Sequence, residues 1–301
     1  MDTQTSDAKL MHRATNAAVA VALTLITLKS IAFMLTGSVA MMATLFDSVL
    51  DMAASVLNLL AVRAALAPAD YDHRFGHGKA EAIAGVGQAL IIFASAVYIV
   101  YESIGRLMDP QPITSSSIGI AVTVVAIILT LALVSYQNKV VKQTNSLAIA
   151  ADSIHYKGDL LMNLSVIVAL VLSSVLGLVW ADPVFGILIA AFIARSAWMI
   201  SVQAVRQLMD QELPELEREK IRGLILADPD VKDMHDLRTR MSGNKLFIQF
   251  HLELDGKMSL TRAHEIADRV ENLVRQAYPR SEVLSHQDPA GVEEITPFER
   301  S

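Results

Sequence analysis

The chain has 301 residues, of which 53% are hydrophobic and 19% charged, with a mean hydropathy of +0.42 and a net charge of −6. That balance is too apolar for an ordinary soluble domain and describes a membrane protein with a water-facing part attached. There is no cysteine, which excludes disulfides and thiolate ligands and disfavours iron–sulfur or copper(I) chemistry, so a metal site is expected to be assembled from His, Asp and Glu.

Six segments are long enough to cross a hydrocarbon core, which takes roughly 20 apolar residues each. In chain order they lie near 14–35, 39–66, 82–106, 115–136, 147–177 and 183–206. The stretch before the first, "MDTQTSDAKLMHRATNAAV", lacks a small-residue cleavage pattern, so the first span is expected to be retained. Turn chemistry separates the spans: "TGS", "APADYDHRFGHG", "DPQPITSS", a polar "QNKVVKQTN", and "ADP", where Asp182 is expected to cap the sixth helix with Pro183 at its first position. Lys9, Arg13, Arg63, Arg74, Lys79, Lys139, Lys142 and Arg206 fall on the side shared by both termini, against Arg106 on the other. Basic residues mark the cytoplasmic side, so both termini are expected there. Lys29, Lys157 and Arg195 fall inside spans and are expected to snorkel to an interface.

After Leu208 the pattern becomes that of a small α+β domain. "PELEREKIRGLILAD" has helical periodicity, and "VKDMHDLRTRM" and "KLFIQFHLELDG" read as strands joined by "SGNK". "SLTRAHEIADRVENLVRQAY" is an amphipathic helix capped by Ser259, and "SEVLSHQD" a last short strand, giving the order α-β-β-α-β. Alternation along the second strand puts His251 on its polar face. Residues 209–301 hold 19 Asp/Glu against 13 Lys/Arg, whereas 1–208 hold 12 of each. An acidic water-facing domain argues against nucleic acid as partner and suits divalent cations. The expected architecture is an α-helical membrane protein with six transmembrane helices over 1–208, a cytoplasmic α+β domain over 209–289, and a disordered tail over 290–301.

Three clusters carry the chemistry. In the second span "DSVLD" sets Asp47 and Asp51 four residues apart, on one helical face that Thr44 and Asn58 extend. An isolated acid at the bilayer centre costs about 2.5–3.5 kcal/mol on insertion scales, so a pair needs a reason. The fifth span repeats the arrangement with Asp152, His155, Asp159 and Asn163. Two polar seams in lipid must face each other, and Asp47, Asp51, His155 and Asp159 would then offer three carboxylates and an imidazole to a divalent ion. The second cluster is Asp70, His73 and His77 in the loop "DYDHRFGHGKAE", where a solvated loop is as good a reading as a chelate on spacing alone. The third is dispersed through the soluble domain, at His235, His251, His264, His286 and Asp288. Seven of the eight histidines fall in these clusters, leaving His12 outside.

These motifs, with "HYKGD", "HDLRTR", "FIQFHLELDG" and "HQDP", make the chain resemble the cation diffusion facilitator family from about residue 10 to 289. The resemblance implies a homodimer of six-span protomers in a bacterial inner membrane. It implies a metallochaperone-like cytoplasmic domain and export of a divalent metal in exchange for protons. Matched position by position, it implies a transport site at Asp47, Asp51, His155 and Asp159 and a loop site at Asp70, His73 and His77. It also implies a two-ion cytoplasmic site at His235, His251, His264, His286 and Asp288, with Asp288 bridging, and a charge interlock between Lys79 and Asp210. Three oxygens and one nitrogen suit Zn²⁺, with Cd²⁺ and Fe²⁺ as alternatives. An intramembrane metalloprotease is disfavoured because "HExxH" is absent. A metal sensor is disfavoured because it has no need of ligands at mid-bilayer.

Overall fold

The computed structural model describes residues 2–37, 39–109, 117–176, 178 and 180–291. The tail expected over 290–301 therefore lies outside the described residues from 292 onward. Two compact units divide the chain, Thr5–Val205 and a second beginning at Arg206.

Six long helices build the first unit: α1 Asp2–Thr36, α2 Val39–Ala65, α3 Lys79–Met108, α4 Ser117–Thr144, α5 Leu147–Leu176 and α6 Ala181–Leu208. Among the described residues, α1, α2, α3, α4 and α6 are long and apolar enough to cross a membrane. Helix α5 is as long, but its first half carries Asp152, His155, Lys157 and Asp159. Its environment explains why it can. Ala148 and Ile149 pack with Met11 and Ala14 of α1, Val62 of α2 and Val140 of α4. Tyr156 packs with Ala18 of α1 and Leu133 and Val134 of α4, and Ala151 joins a cluster from α3 and α6. Helix α5 is thus the hub of the bundle, with Asp152 and His155 facing protein. Gly158 permits the close approach of α6: a Cβ there would come within 3.1 Å of Ile193 Cγ2.

Helix α2 is the inverse of a soluble amphipathic helix. Ser48, Ser55, Asn58 and Val62 are buried, while Phe46, Leu50, Leu57 and Leu60 stand exposed on the opposite face. A wide apolar surface of this kind suits lipid.

Three features depart from the sequence expectations. The polar stretch 137–144 does not break the fourth span: α4 runs through it to Thr144, and the chain turns at Asn145 with φ 53°. The helix survives because its polar side chains bond across to α5. Gln137 Nε2 donates to Asp152 Oδ2 at 2.6 Å, and Ser153 Oγ donates to Asn138 Oδ1 at 3.2 Å. Asp182 lies inside α6 and pairs with Arg106 Nη1 of α3 at 2.9 Å, so it is used as a counter-charge. Lys29, expected to snorkel, turns onto α2, as described below.

The second unit follows the order α7 Glu215–Leu226, β1 Asp233–Ser242, β2 Lys245–Leu254, α8 Leu260–Ala277, β3 Ser281–Pro289. The sheet order is β1-β2-β3, with β1 antiparallel and β3 parallel to β2. Ile248, Phe250 and Leu252 of β2 form the core with Ile221, Ile225, Ile266, Val270 and Val274 from the helices. Ser259 caps α8, its side chain accepting from Arg262 N. Gln249 is exposed and His251 and Glu253 are half-buried, on the alternate positions of β2.

Candidate metal centres

The inward stripe of α2 and the polar first half of α5 meet inside the bundle. His155 Nε2 lies 3.0 Å from Asp51 Oδ1 and 3.8 Å from Asp159 Oδ2. One ligand atom from each of Asp51, His155 and Asp159 falls within 4.8 Å of the others. In a tetrahedral zinc site, bonds of about 2.0–2.1 Å place neighbouring ligand atoms about 3.3 Å apart. The observed separations bracket that value. Asp159 Oδ2 is buried without a hydrogen-bond partner among the described residues. A buried carboxylate oxygen left in this way fits a cation, since an unsatisfied one is costly.

Asp47 stands apart. It is exposed, one turn from Asp51, and does not join the three. Asp152 is fully buried and held by Gln137. Beside the seam, Ser55 Oγ and Tyr156 OH bond at 2.8 Å, fixing α2 against α5.

The loop cluster is preformed. Asp70 Oδ1 accepts from the backbone N–H of Asp72 at 3.0 Å and of His73 at 2.7 Å. The His73 N–H holds the Asp70 carboxyl below the usual carboxylate range, favouring the charged form a metal requires. His73 Nδ1 and His77 Nε2 each lie 3.3 Å from an Asp70 oxygen.

In the α+β unit, strand register does what sequence spacing alone cannot reveal. His235 pairs with His251 across β1 and β2, and His251 pairs with His286 across β2 and β3. The three imidazoles therefore stand in one row, with ring centroids 5.0 and 4.9 Å apart. Asp288 gathers them. Its Oδ2 lies 2.7 Å from His251 Nδ1 and 3.6 Å from His235 Nε2, and its Oδ1 lies 3.2 Å from His286 Nε2. His264 is not brought in: it is exposed on α8 and lies 3.6 Å from Asp268.

Sequence reasoning missed two acidic neighbours of this row. Glu253 Oε1 lies 3.2 Å from His235 Nδ1. Asp236 sits in a β-bulge between His235 and Arg238, with φ 48°, and its Oδ2 lies 3.9 Å from His251 Nε2. The period-two spacing of His251 and Glu253 is the signal that could have found the first. A bulge re-aims side chains beside sites, and here it carries no sequence mark.

Residues 16–209 match the cation efflux transmembrane domain, and residues 213–290 match the cytoplasmic domain of cation efflux proteins. The chain is similar to the cation-efflux pump FieF of Shewanella oneidensis, at 47% identity over 283 residues, 94% of this chain and 95% of that protein. It is similar to FieF of Klebsiella pneumoniae at 44% identity over 289 residues, 94% of each. Among solved structures, it is similar to the metal-bound C-terminal domain of the CzcD transporter from Thermotoga maritima, at 30% identity and a TM-score of 0.26, covering 27% of this chain and 100% of that one. With both parts of the chain matched and relatives aligned along nearly its whole length, it belongs to the cation efflux, or cation diffusion facilitator, family, and is a membrane cation transporter, not an enzyme.

Proposed function

We propose that the protein exports Zn²⁺ from the bacterial cytoplasm across the inner membrane in exchange for protons. The observation that carries this reading is the convergence of Asp51, His155 and Asp159 between α2 and α5. Two carboxylates and a neutral imidazole neutralise a divalent ion, and an N/O set with an imidazole suits Zn²⁺, with Cd²⁺ and Fe²⁺ the nearest competitors. Helix α5 is proposed as the sixth span. Asp47, one turn from Asp51, is proposed as the fourth ligand, recruited when the ion binds. Both termini are proposed to lie in the cytoplasm, a reading supported by the basic residues near the helix ends.

The coupling follows from competition for lone pairs. Metal ligands must be deprotonated, so protons arriving from the outer face displace the ion and return inward when the site reopens to the cytoplasm. Exchange is favoured by a membrane potential negative inside, at about 2.3 kcal/mol per charge per 100 mV. The protein is proposed to work as a homodimer joined through domain 209–289, braced by metal at His235, His251, His286 and Asp288. His264, turned away within one chain, would serve only a site completed at that interface. The loop triad Asp70, His73 and His77 is proposed as a cytoplasmic capture site.

The test is uptake of Zn²⁺ into proteoliposomes under an imposed pH gradient, with Cd²⁺ and Fe²⁺ in parallel and Asp51→Asn as control. Gradient-driven flux lost in the variant is the expected result. Metal binding without flux would turn the reading to a sensor, and flux indifferent to the gradient would remove the antiport.

A further inference from the structure

Lys29 lies within α1, where a lysine ordinarily snorkels to the interface. Here it does the opposite. Its Nζ donates to Ser48 Oγ at 2.6 Å and to the Thr44 carbonyl at 3.0 Å, both on α2. Ser48 is buried and stands between Asp47 and Asp51 in sequence. The ammonium thus crosses from one helix to the segment of the next that holds the acid pair. Asp47 and Asp51 flank Ser48 along that segment, which sets carboxylate charge close to the ammonium. An ammonium has three donors and no lone pair, so Lys29 cannot ligate a metal. A half-buried cation is tolerable in a span only where opposite charge offsets its desolvation, and these carboxylates supply that charge.

We propose that Lys29 is a built-in counter-cation that sets the affinity of the transport site. This rests on the reading of Asp51, His155 and Asp159 as that site. Two consequences follow from one fixed positive charge. With the divalent ion bound, Lys29 repels it and weakens binding. With the ion gone, Lys29 balances part of the negative charge left behind, so the vacated site costs less to form. Both effects shorten the ion's stay. A transporter bound too tightly cannot release, and Lys29 trades affinity for turnover. The residue is a positioning and charge-setting group, acting through α2 and not on the ion as a ligand.

The experiment measures KM and kcat for Zn²⁺ flux in proteoliposomes under one fixed pH gradient. It compares the native protein with Lys29→Gln, Lys29→Arg and Asp51→Asn, each checked for thermal unfolding. Lys29→Gln keeps a hydrogen-bonding side chain and removes the charge. KM should fall about tenfold, with kcat falling by a similar factor as release becomes limiting. Lys29→Arg should restore both to within about threefold of native. A strut joining α1 to α2 would instead lower kcat with KM unchanged or raised, and that result overturns the proposal. Should Lys29→Gln not fold, Ser48→Ala loosens the ammonium without removing it. It should lower KM by a smaller factor, and an unchanged KM there overturns the proposal equally. The Asp51→Asn control separates the two readings. Full activity in that variant means the site itself is misassigned, whereas loss there with an unmoved KM in Lys29→Gln condemns the lysine inference alone.

Discussion

Asp51→Asn removes one negative charge from the proposed transport site while keeping the side chain's shape. The Asp51 side chain is 17% exposed and its Oδ1 sits 3.0 Å from His155 Nε2, so the lost charge is largely desolvated. Removing one partner of a buried ion pair costs about 3–5 kcal/mol, and residual solvent access argues for the lower end. About 3 kcal/mol weakens Zn²⁺ binding on the order of 100-fold. Asp47→Asn should cost less, about tenfold, because Asp47 is exposed and outside the converged triad. Calorimetric titration of each variant, in a background with His73, His235 and His251 changed to Ala to silence the other centres, reads the two affinities. Equal losses would mean that the resting triad is not the receptive arrangement. Binding within about threefold of native in Asp51→Asn would remove Asp51 from the site.

Asp288→Ala should abolish metal binding by the cytoplasmic row, because its two oxygens are what His235, His251 and His286 share. His264→Ala should leave Co²⁺ absorption from that row unchanged, since His264 faces away; a spectrum lost with His264 would refute the assignment. Bonds from Arg269 hold the Asp228 carboxyl below its usual range. A depressed folded value means stabilisation that is full above the unfolded value, about 3.9, and lost as pH falls through the folded one. Arg269→Ala should therefore lower the melting temperature at neutral pH, with the gap to the native protein closing in strong acid. A gap independent of pH would assign the effect to packing. Buried Glu81 accepts from Ser146 Oγ at 2.6 Å and faces the first backbone N–H groups of α5. Glu81→Ala leaves those donors unmet at about 1–3 kcal/mol, read as a lower melting temperature and slower flux. An unchanged melt would show that α5 needs no such anchor.

The helices and strands were legible because each has a dominant period: α2 and α5 show polar residues three and four apart, and β2 alternates from Ile248 to Leu254. The pairing of α2 with α5 was legible for the same reason, since acids in lipid have few places to go. What the sequence hid was set across elements. The row of His235, His251 and His286 exists only through the register of two strand pairs, one antiparallel and one parallel. The extension of α4 to Thr144 depends on Asp152 receiving Gln137, a partner 15 residues on that no propensity for Gln, Asn or Lys foretells. Lys29 reads as a snorkelling lysine until the buried Ser48 hydroxyl is seen beside it.

The same logic explains why α5 carries Asp152, His155 and Asp159 within its apolar length. A helix facing lipid must be apolar on that face, and a helix at the rim of a bundle has a lipid face. Helix α5 packs against α1, α2, α3, α4 and α6 through Ala148, Ile149, Ala151 and Tyr156. It therefore has room for His155 and Asp159 toward α2 and for Asp152 toward α4 at once. Helix α2 cannot match it, since Phe46, Leu50, Leu57 and Leu60 occupy its exposed side. Its polar residues are confined to one stripe, and Asp51 is its contribution to the triad. Glu81 of α3, which accepts from Ser146 just before α5, and Gly158 against Ile193 of α6 anchor the hub α5 to α3 and α6.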